Sequence, residues 1–425
     1  MLIRGGRLVD PAAGIDALRD LRSEGAVVTE IGEHLRARPD ESIIEARGCI
    51  VAPGFIDMHV HLREPGNPEK ETIATGTLAA VRGGFTAVAC MPNTNPALDT
   101  PATLAQLERI VARDARARVY PIAAITLARA GEEPVEFAAL ARAGAVAFSD
   151  DGHTVMNARV LLDAALQAAS VPGVFISHAE DEHLKGNAVM NLGEVSRALG
   201  VAGAPGITEE VIVARDLLLG IESRKAWHIA HLSTARGLDF VRWARARGAA
   251  ATCEATPHHL LLSDESVREL GAAALVNPPL RSALETRALR EGVRDGTIDV
   301  LASDHAPHTQ TEKSGDLRTA AVGFSGLEIA VGAYALALPD LPMQRFVALV
   351  STNPAGILGV EGGTLSVGAR ADVTIFADRP WTVDSTQFAS KGKSTPFDGR
   401  TLPRRIVATI VAGELRYQDA ESCVR

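Results

Sequence analysis

Both ends of the chain alternate apolar and polar residues in short runs broken by Gly and Asp. The first end reads LIRGGRLVD, GAVVTEIGE and SIIEARGCIVAPG; the other reads GTLSVGARADVTIFA and RRIVATIVAGELRY. A period of two puts the apolar side chains on one face of an extended strand, so both ends predict β-structure. Between them the pattern changes. Short apolar runs recur as VAPGFIDMHVH, FTAVACM, RVYPIAAI, AVAFSDD, GVFISH, AWHIAHL, AAATCEAT and DVLASDHAP. Stretches of helical period, such as PATLAQLERIVARDARA and ARVLLDAALQAA, separate them. Alternating strands and helices predict repeated βα units with a parallel sheet. Eight such runs predict an α/β protein built on a (β/α)8 TIM-like barrel.

Polar residues at the ends of these runs sharpen the picture. His59 and His61 close the first run, Asp150 and Asp151 the fourth, His178 the fifth, His231 the sixth and Asp304 the eighth. In a barrel the C-terminal ends of the strands converge on the face where active sites lie. Side chains at i and i+2 of a strand point the same way, so His59 and His61 present two imidazoles together. Taken singly, each histidine reads as an ordinary hydrogen-bonded residue. Taken together, four imidazoles and two carboxylates suit zinc or a similar divalent ion. They exceed what one tetrahedral ion with an open position needs, so two ions bridged by a carboxylate fit better.

Composition adds mostly exclusions. The 425 residues are 46% hydrophobic and 4% aromatic, as an Ala/Val/Leu-rich α/β protein would be. A net charge of −9 gives no electrostatic footprint for nucleic acid. Four scattered cysteines, Cys49, Cys90, Cys253 and Cys423, form no C-x-x-C pair, so neither a zinc–thiolate site nor a disulfide framework is expected. The opening MLIRGGRLVDPAAG lacks the apolar core of a signal peptide, and no apolar stretch is long enough to span a bilayer. A cytoplasmic protein without membrane contact is expected.

The stretches GFIDMHVHLREPG, MPNTNP, FSDDG, SHAED, AHLST, CEATPHHL, NPPLR and ASDHAPH resemble, in order, the motifs of dihydroorotases in the amidohydrolase superfamily. EGGTLSVGARADVTIF is similar to the β-domain that accompanies the barrel there. The resemblance implies a barrel over residues 51–355 and a small composite β-sandwich domain from residues 1–50 and 356–425. It implies reversible hydrolysis of dihydroorotate to N-carbamoyl-L-aspartate, in pyrimidine biosynthesis, with two zinc ions per subunit. His59, His61 and Asp304 would hold one ion; His178 and His231 would hold the other. Many relatives bridge the two with a carbamylated lysine at the end of the fourth strand. This chain reads AFSDDG there, and one bacterial branch carries an aspartate at the place, Asp151 here. Asp150 reads better as a turn residue than as a buried acceptor.

The chemistry gives the remaining residues work. Asp304, at the metals and on the substrate side, would carry the proton from nucleophile to leaving nitrogen. Arg63, two residues after His61, would take the substrate carboxylate in a bidentate fork if the strand geometry persists. The resemblance adds Asn93, Asn277, His308 and the backbone of Val322 and Gly323 as further contacts to carboxylate or ring, together with His61. The polar segment from 309 to 325 follows the last strand and reads as a lid. His258 and His259 would support the rim. His34, His153, His183 and His228 carry no convergence with the cluster, and His305 should point away from it. Allantoinase, hydantoinase and dihydropyrimidinase are the nearest rivals, but they generally lack the Arg of HLREPG. A non-catalytic barrel that scaffolds aspartate transcarbamoylase is the rival of another class, and such chains tend to lose metal histidines that stand here. A homodimer and an association with aspartate transcarbamoylase are the assemblies left open.

Overall fold

In the computed structural model, which describes residues 1–420, eight parallel strands pair in sequence order. They are β1 (Phe55–Val60), β2 (Phe85–Cys90), β3 (Arg118–Ala123), β4 (Ala147–Phe148), β5 (Val174–Ser177), β6 (Trp227–Ile229), β7 (Ala251–Ala255) and β8 (Val300–Leu301). The ring closes where Val60 bridges His305 in parallel, with the His61 N–H donating to the His305 carbonyl at 2.8 Å. The barrel expected from the alternation of apolar runs and helices is present.

Strand alternation sorts the apolar side chains into two layers. Ile56, Met58, Ala87, Ala89, Ile122, Ala147, Val174 and Ile176 form one cluster inside the barrel, and the helix Asn353–Leu358 packs Ala355 and Leu358 onto it. Phe55, Phe85, Phe148, Phe175 and Trp227, their neighbours along the same strands, face outward into a cluster with Leu104, Leu161, Leu217 and Leu238 from the surrounding helices. The two helices read from the sequence run Pro101–Asp114 and Ala158–Gln167, each started by a capping side chain, Thr100 and Asn157. Such caps satisfy amide groups that the first turn leaves open, each worth about 1 kcal/mol.

The two ends of the chain build one connected eight-stranded mixed sheet. Its order is Glu414–Gln418, Arg405–Val411, Val373–Ala377, Ile50–Pro53, Leu2–Asp10, Ile15–Glu24 and Val27–Gly32, with Ile43–Glu45 also paired to Leu2–Asp10. Ile3, Leu8, Leu21 and Val28 from the first end share a core with Val373, Ile375, Val407 and Ile410 from the second. Gly54 separates Ile50–Pro53, in this sheet, from β1 in the barrel. A Cβ there would stand 2.1 Å from Thr86 Oγ1, so only glycine allows the two sheets to meet so closely. Between Val373–Ala377 and Arg405–Val411 the chain makes an excursion back toward the barrel, bounded by the paired segments Trp381–Thr382 and Thr401–Leu402. No helix among the described residues is long and apolar enough to cross a membrane. Cys423 lies outside the described residues.

Candidate metal centre and substrate pocket

Strands β1, β4, β5, β6 and β8 send their terminal polar residues into one buried cluster. His59 lies within β1 and His61 just beyond it, with ring centres 5.4 Å apart. His59 Nε2 is 3.4 Å from Asp151 Oδ1 and 3.5 Å from Asp304 Oδ1. His61 Nε2 is 3.6 Å from Asp151 Oδ2 and 3.2 Å from Asp304 Oδ1. On the far side Asp151 Oδ1 lies 3.6 Å from His178 Nδ1 and 3.9 Å from His231 Nε2, and these two nitrogens are 2.8 Å apart. Asp151 therefore belongs to two candidate ligand groups at once, one with His59 and His61, the other with His178 and His231.

The donor set fits divalent ions. Atoms bound about 2.0–2.2 Å from a tetrahedral ion lie roughly 3.3–3.6 Å apart, close to the separations around Asp151 and Asp304. His59 Nε2 and Asp151 Oδ1 are buried without a hydrogen-bond partner. Polar atoms left so are costly, and a cation between them would satisfy both. Burial favours the neutral carboxyl, yet the facing imidazoles hold Asp151 and Asp304 well below the usual carboxylate range. Burial, with His178 and His59 nearby, pushes His231 down to about 3, so its ring is neutral with a lone pair to offer. Burial opposes charge on His178 as well, but Asp151 and Glu180 raise it to about 9. Metal binding there has to release a proton.

Behind the cluster stand residues that the sequence did not single out. Glu254, fully buried at the end of β7, pairs with His59 Nδ1 at 2.7 Å and His228 Nε2 at 3.1 Å, and accepts the His231 N–H at 3.0 Å. His228, for which no convergence with the cluster was expected, helps to hold the carboxylate that meets His59, while Thr252 Oγ1 meets its other nitrogen at 2.8 Å. The only signal was an acidic residue inside an apolar strand run. Partners of this kind fix the tautomer of a ligating histidine, and losing one typically costs about 10–100-fold in metal affinity. Glu254→Gln keeps the shape and removes the charge, so it should weaken metal binding by about that factor. Competition against a chelator of known affinity measures it, and an unchanged affinity would make Glu254 a packing residue only.

Asp150 opens the expected turn, its carbonyl accepting the His153 N–H at 2.9 Å, and its side chain is a buried acceptor as well. Its buried carboxylate accepts the Ile125 N–H at 2.8 Å, the Thr126 N–H at 3.1 Å and the Thr126 hydroxyl. The loop after β3 has buried amides to satisfy, and Asp150 satisfies them. Arg129 in that loop donates to the Asp151 carbonyl at 2.6 Å, so the main chain carrying the shared carboxylate is held from both sides.

A cavity of about 210 Å³ opens onto the cluster. The structure brings to its wall His61, Arg63, Asn93, Asn277, His308, Val322 and Gly323, alongside Asp151, His178, His231 and Asp304. Arg63 arrives there by another route than strand alternation. β1 ends at Val60, and Arg63 takes a left-handed φ of 61°, as Asp304 does at 48° and His231 at 32°. Non-glycine residues adopt this region uncommonly, in turns and helix ends and with some concentration at functional sites. The guanidinium is held by Nε donating to the Pro307 carbonyl at 3.2 Å, with Nη2 3.4 Å from His308 Nε2. Burial and the Arg63 charge push His308 down to about 3, and its Nε2 lies 2.8 Å from the Val322 carbonyl.

Asn93 Oδ1 meets His61 Nδ1 at 3.0 Å. Asn277 donates to Glu180 at 2.8 Å and accepts from Lys185 at 2.9 Å, with its amide nitrogen 3.1 Å from His178 Nε2. Glu180 and Lys185 were not read from the sequence. His259 meets the Pro278 carbonyl at 3.0 Å and so supports the Asn277 segment, while buried His258 packs edge-on against Phe324. His305 turns away from the cavity, its Nδ1 accepting the Gly326 N–H at 3.1 Å. His34, His153 and His183 do not line the cavity. The 309–325 segment is docked: Lys313 Nζ donates to the Ala321 carbonyl at 2.9 Å, Lys70 pairs with Glu312 at 2.7 Å, and the Gly323 N–H donates to the Leu275 carbonyl at 2.8 Å.

Comparison with known proteins agrees with this geometry. Residues 48–236 match the Dihydro-orotase-like family and residues 219–417 the Amidohydrolase family. A dihydroorotase from Pelotomaculum thermopropionicum is 48% identical over 99% of both chains, and one from Syntrophus aciditrophicus is 43% identical over the same shares. Among solved structures, the L-hydantoinase of Arthrobacter aurescens superposes with a TM-score of 0.88 at 24% identity, over 100% of this chain and 97% of that one. The D-hydantoinase of a Thermus species gives 0.84 at 23% identity, over 100% and 96%. These structural likenesses establish the amidohydrolase fold, and the full-length relatives establish the rest: the chain belongs to the dihydroorotase family of the amidohydrolase superfamily.

Proposed function

We propose that this chain is a metal-dependent cyclic amide hydrolase, a dihydroorotase that interconverts dihydroorotate and N-carbamoyl-L-aspartate in pyrimidine synthesis. One observation carries the reading: a half-buried guanidinium, Arg63, shares a small cavity with Asp304 and a cluster of metal-ligand type. A cyclic amide bearing a carboxylate asks for all three. His59, His61 and Asp304 would hold one zinc ion, His178 and His231 a second, with Asp151 common to both. When bound, such an ion lowers the pKa of water to about 7 and withdraws electron density from an amide carbonyl.

The chain's own residues do the rest. Arg63, with its planar fork, takes the ring carboxylate, and His308 and Asn93 flank it. Asn277 and the main chain at Val322 and Gly323 bound the ring edge. The carbon–oxygen bond forms at the ring amide carbonyl while the carbon–nitrogen bond to the neighbouring ring nitrogen breaks. Asp304 accepts the proton of the attacking water and passes it to that nitrogen, which leaves as the amide NH2 of the carbamoyl group. In the reverse direction Asp304 returns the proton as the ring closes. Cys90 and Cys253, buried and outside any disulfide, suit the reducing cytoplasm in which we place the enzyme.

The test is metal analysis of the purified protein beside turnover in both directions. We expect interconversion of the two compounds, loss of activity on chelation and its return with zinc. Turnover that survives complete removal of metal, or none with metal fully bound, would overturn the reading.

A further inference from the structure

The excursion between Val373–Ala377 and Arg405–Val411 has a purpose that sheet building does not explain. Within it Phe388 and Phe397 are anchors, both in an apolar cluster with Phe324 and Leu402. Between these anchors, residues 389–395 run as a strap between the segment that follows β1 and the segment that follows β8. On the first side stands Glu71, buried in the segment after Arg63. It accepts the Ser390 hydroxyl and, at 3.3 Å, the Lys391 N–H, and Lys391 Nζ donates to the Pro68 carbonyl. On the second side the Ser325 hydroxyl donates to the Gly392 carbonyl at 2.7 Å, and the Ser325 N–H to the Ser394 carbonyl at 3.0 Å.

Gly392 is the point of closest approach. It is buried, and a Cβ there would lie 2.8 Å from Pro307 Cβ and 3.0 Å from the His308 carbonyl oxygen. Pro307 and His308 are the two residues that the Arg63 guanidinium reaches. A strap held to both segments, with no side chain at its midpoint, sets how near they come to each other.

We propose that the 389–395 strap is the positioning element of the carboxylate grip. Through it the composite domain fixes the separation of Arg63 and His308, and Gly392 is the positioning residue that makes the approach possible. The proposal rests on the dihydroorotase reading above and assigns part of its substrate affinity to a segment that supplies no residue to the metal cluster.

A carboxylate gripped alike in ground state and transition state affects KM and leaves kcat alone. Gly392→Ala should therefore raise the KM for dihydroorotate about tenfold, because small misplacements of positioning groups are costly. Its kcat and bound metal should stay near those of the wild type. Inhibition by orotate, which carries the same carboxylate on a ring that is not opened, should weaken in parallel with KM. Ser390→Ala adds no atoms and removes the hydroxyl that Glu71 accepts; it should move KM the same way by less, and it keeps the test alive should the alanine at 392 not fold. A folded Gly392→Ala protein with unchanged KM, or one that loses kcat or metal while KM stays put, would overturn the proposal. Failure of both variants to fold would make the strap a stability element and overturn it equally. Wild-type protein that does not turn over dihydroorotate defeats the functional reading instead, and that control is read before either variant.

Discussion

Replacing Asp304 by asparagine should abolish most turnover while the fold survives and the other candidate ligands still bind metal. The substitution is isosteric, so the site keeps its shape and an oxygen still faces His59 and His61, which lie 3.5 and 3.2 Å from Asp304 Oδ1. What it removes is the capacity to take up and release a proton, a contribution usually worth about 10²–10⁴-fold in rate. The loss should appear in kcat in both directions, since the same oxygen serves ring opening and ring closure. Steady-state kinetics beside metal analysis of the variant decides the point. Activity within a fewfold of wild type would remove Asp304 from the proton path and leave it as a ligand only.

Arg63→Ala separates a carboxylated substrate from the cyclic amides and imides that lack the charge. Losing a charged hydrogen-bonding partner costs about 1.5–3 kcal/mol, and each 1.4 kcal/mol is about tenfold. The kcat/KM for dihydroorotate should fall accordingly, at least about tenfold. Arg63→Lys should recover only part of it, because lysine keeps the charge but loses the fork and the Nε–H that now binds the Pro307 carbonyl at 3.2 Å. For a cyclic imide without the carboxylate the loss should be much smaller. Equal losses on both substrates would mean that Arg63 holds the rim of the pocket together, and the assignment of a carboxylated ring would be withdrawn.

The cluster was legible in the sequence because two simple rules act together. A buried strand hides its side chains, so a histidine or aspartate at its end is conspicuous, and a parallel barrel gathers such ends on one face. His59, His61, Asp151, His178, His231 and Asp304 meet both conditions, and the structure brings them into one cluster. Arg63 was legible by chemistry but not by geometry. Its alignment with the ligands was expected from strand alternation, whereas a left-handed φ of 61° beyond the end of β1 turns it into the pocket. Asp150 was legible only in part: it opens the turn that a polar pair before a glycine suggests, but nothing local shows that the amides of Ile125 and Thr126 need an acceptor there.

By itself the sequence determined the barrel, the sheet at its two ends and the kind of chemistry its strand ends carry. Those properties follow from periodicity and residue type, which are local. Only the tertiary structure decided which buried groups steady that chemistry. Glu254 reaches His59 across 195 positions, and the strap at Ser390 reaches Glu71 across 319. The barrel closes between residues as distant as Val60 and His305. A hydrogen bond between groups so far apart leaves no periodic trace along the chain; it exists only once the backbone has brought donor and acceptor within about 3 Å of each other in the right direction.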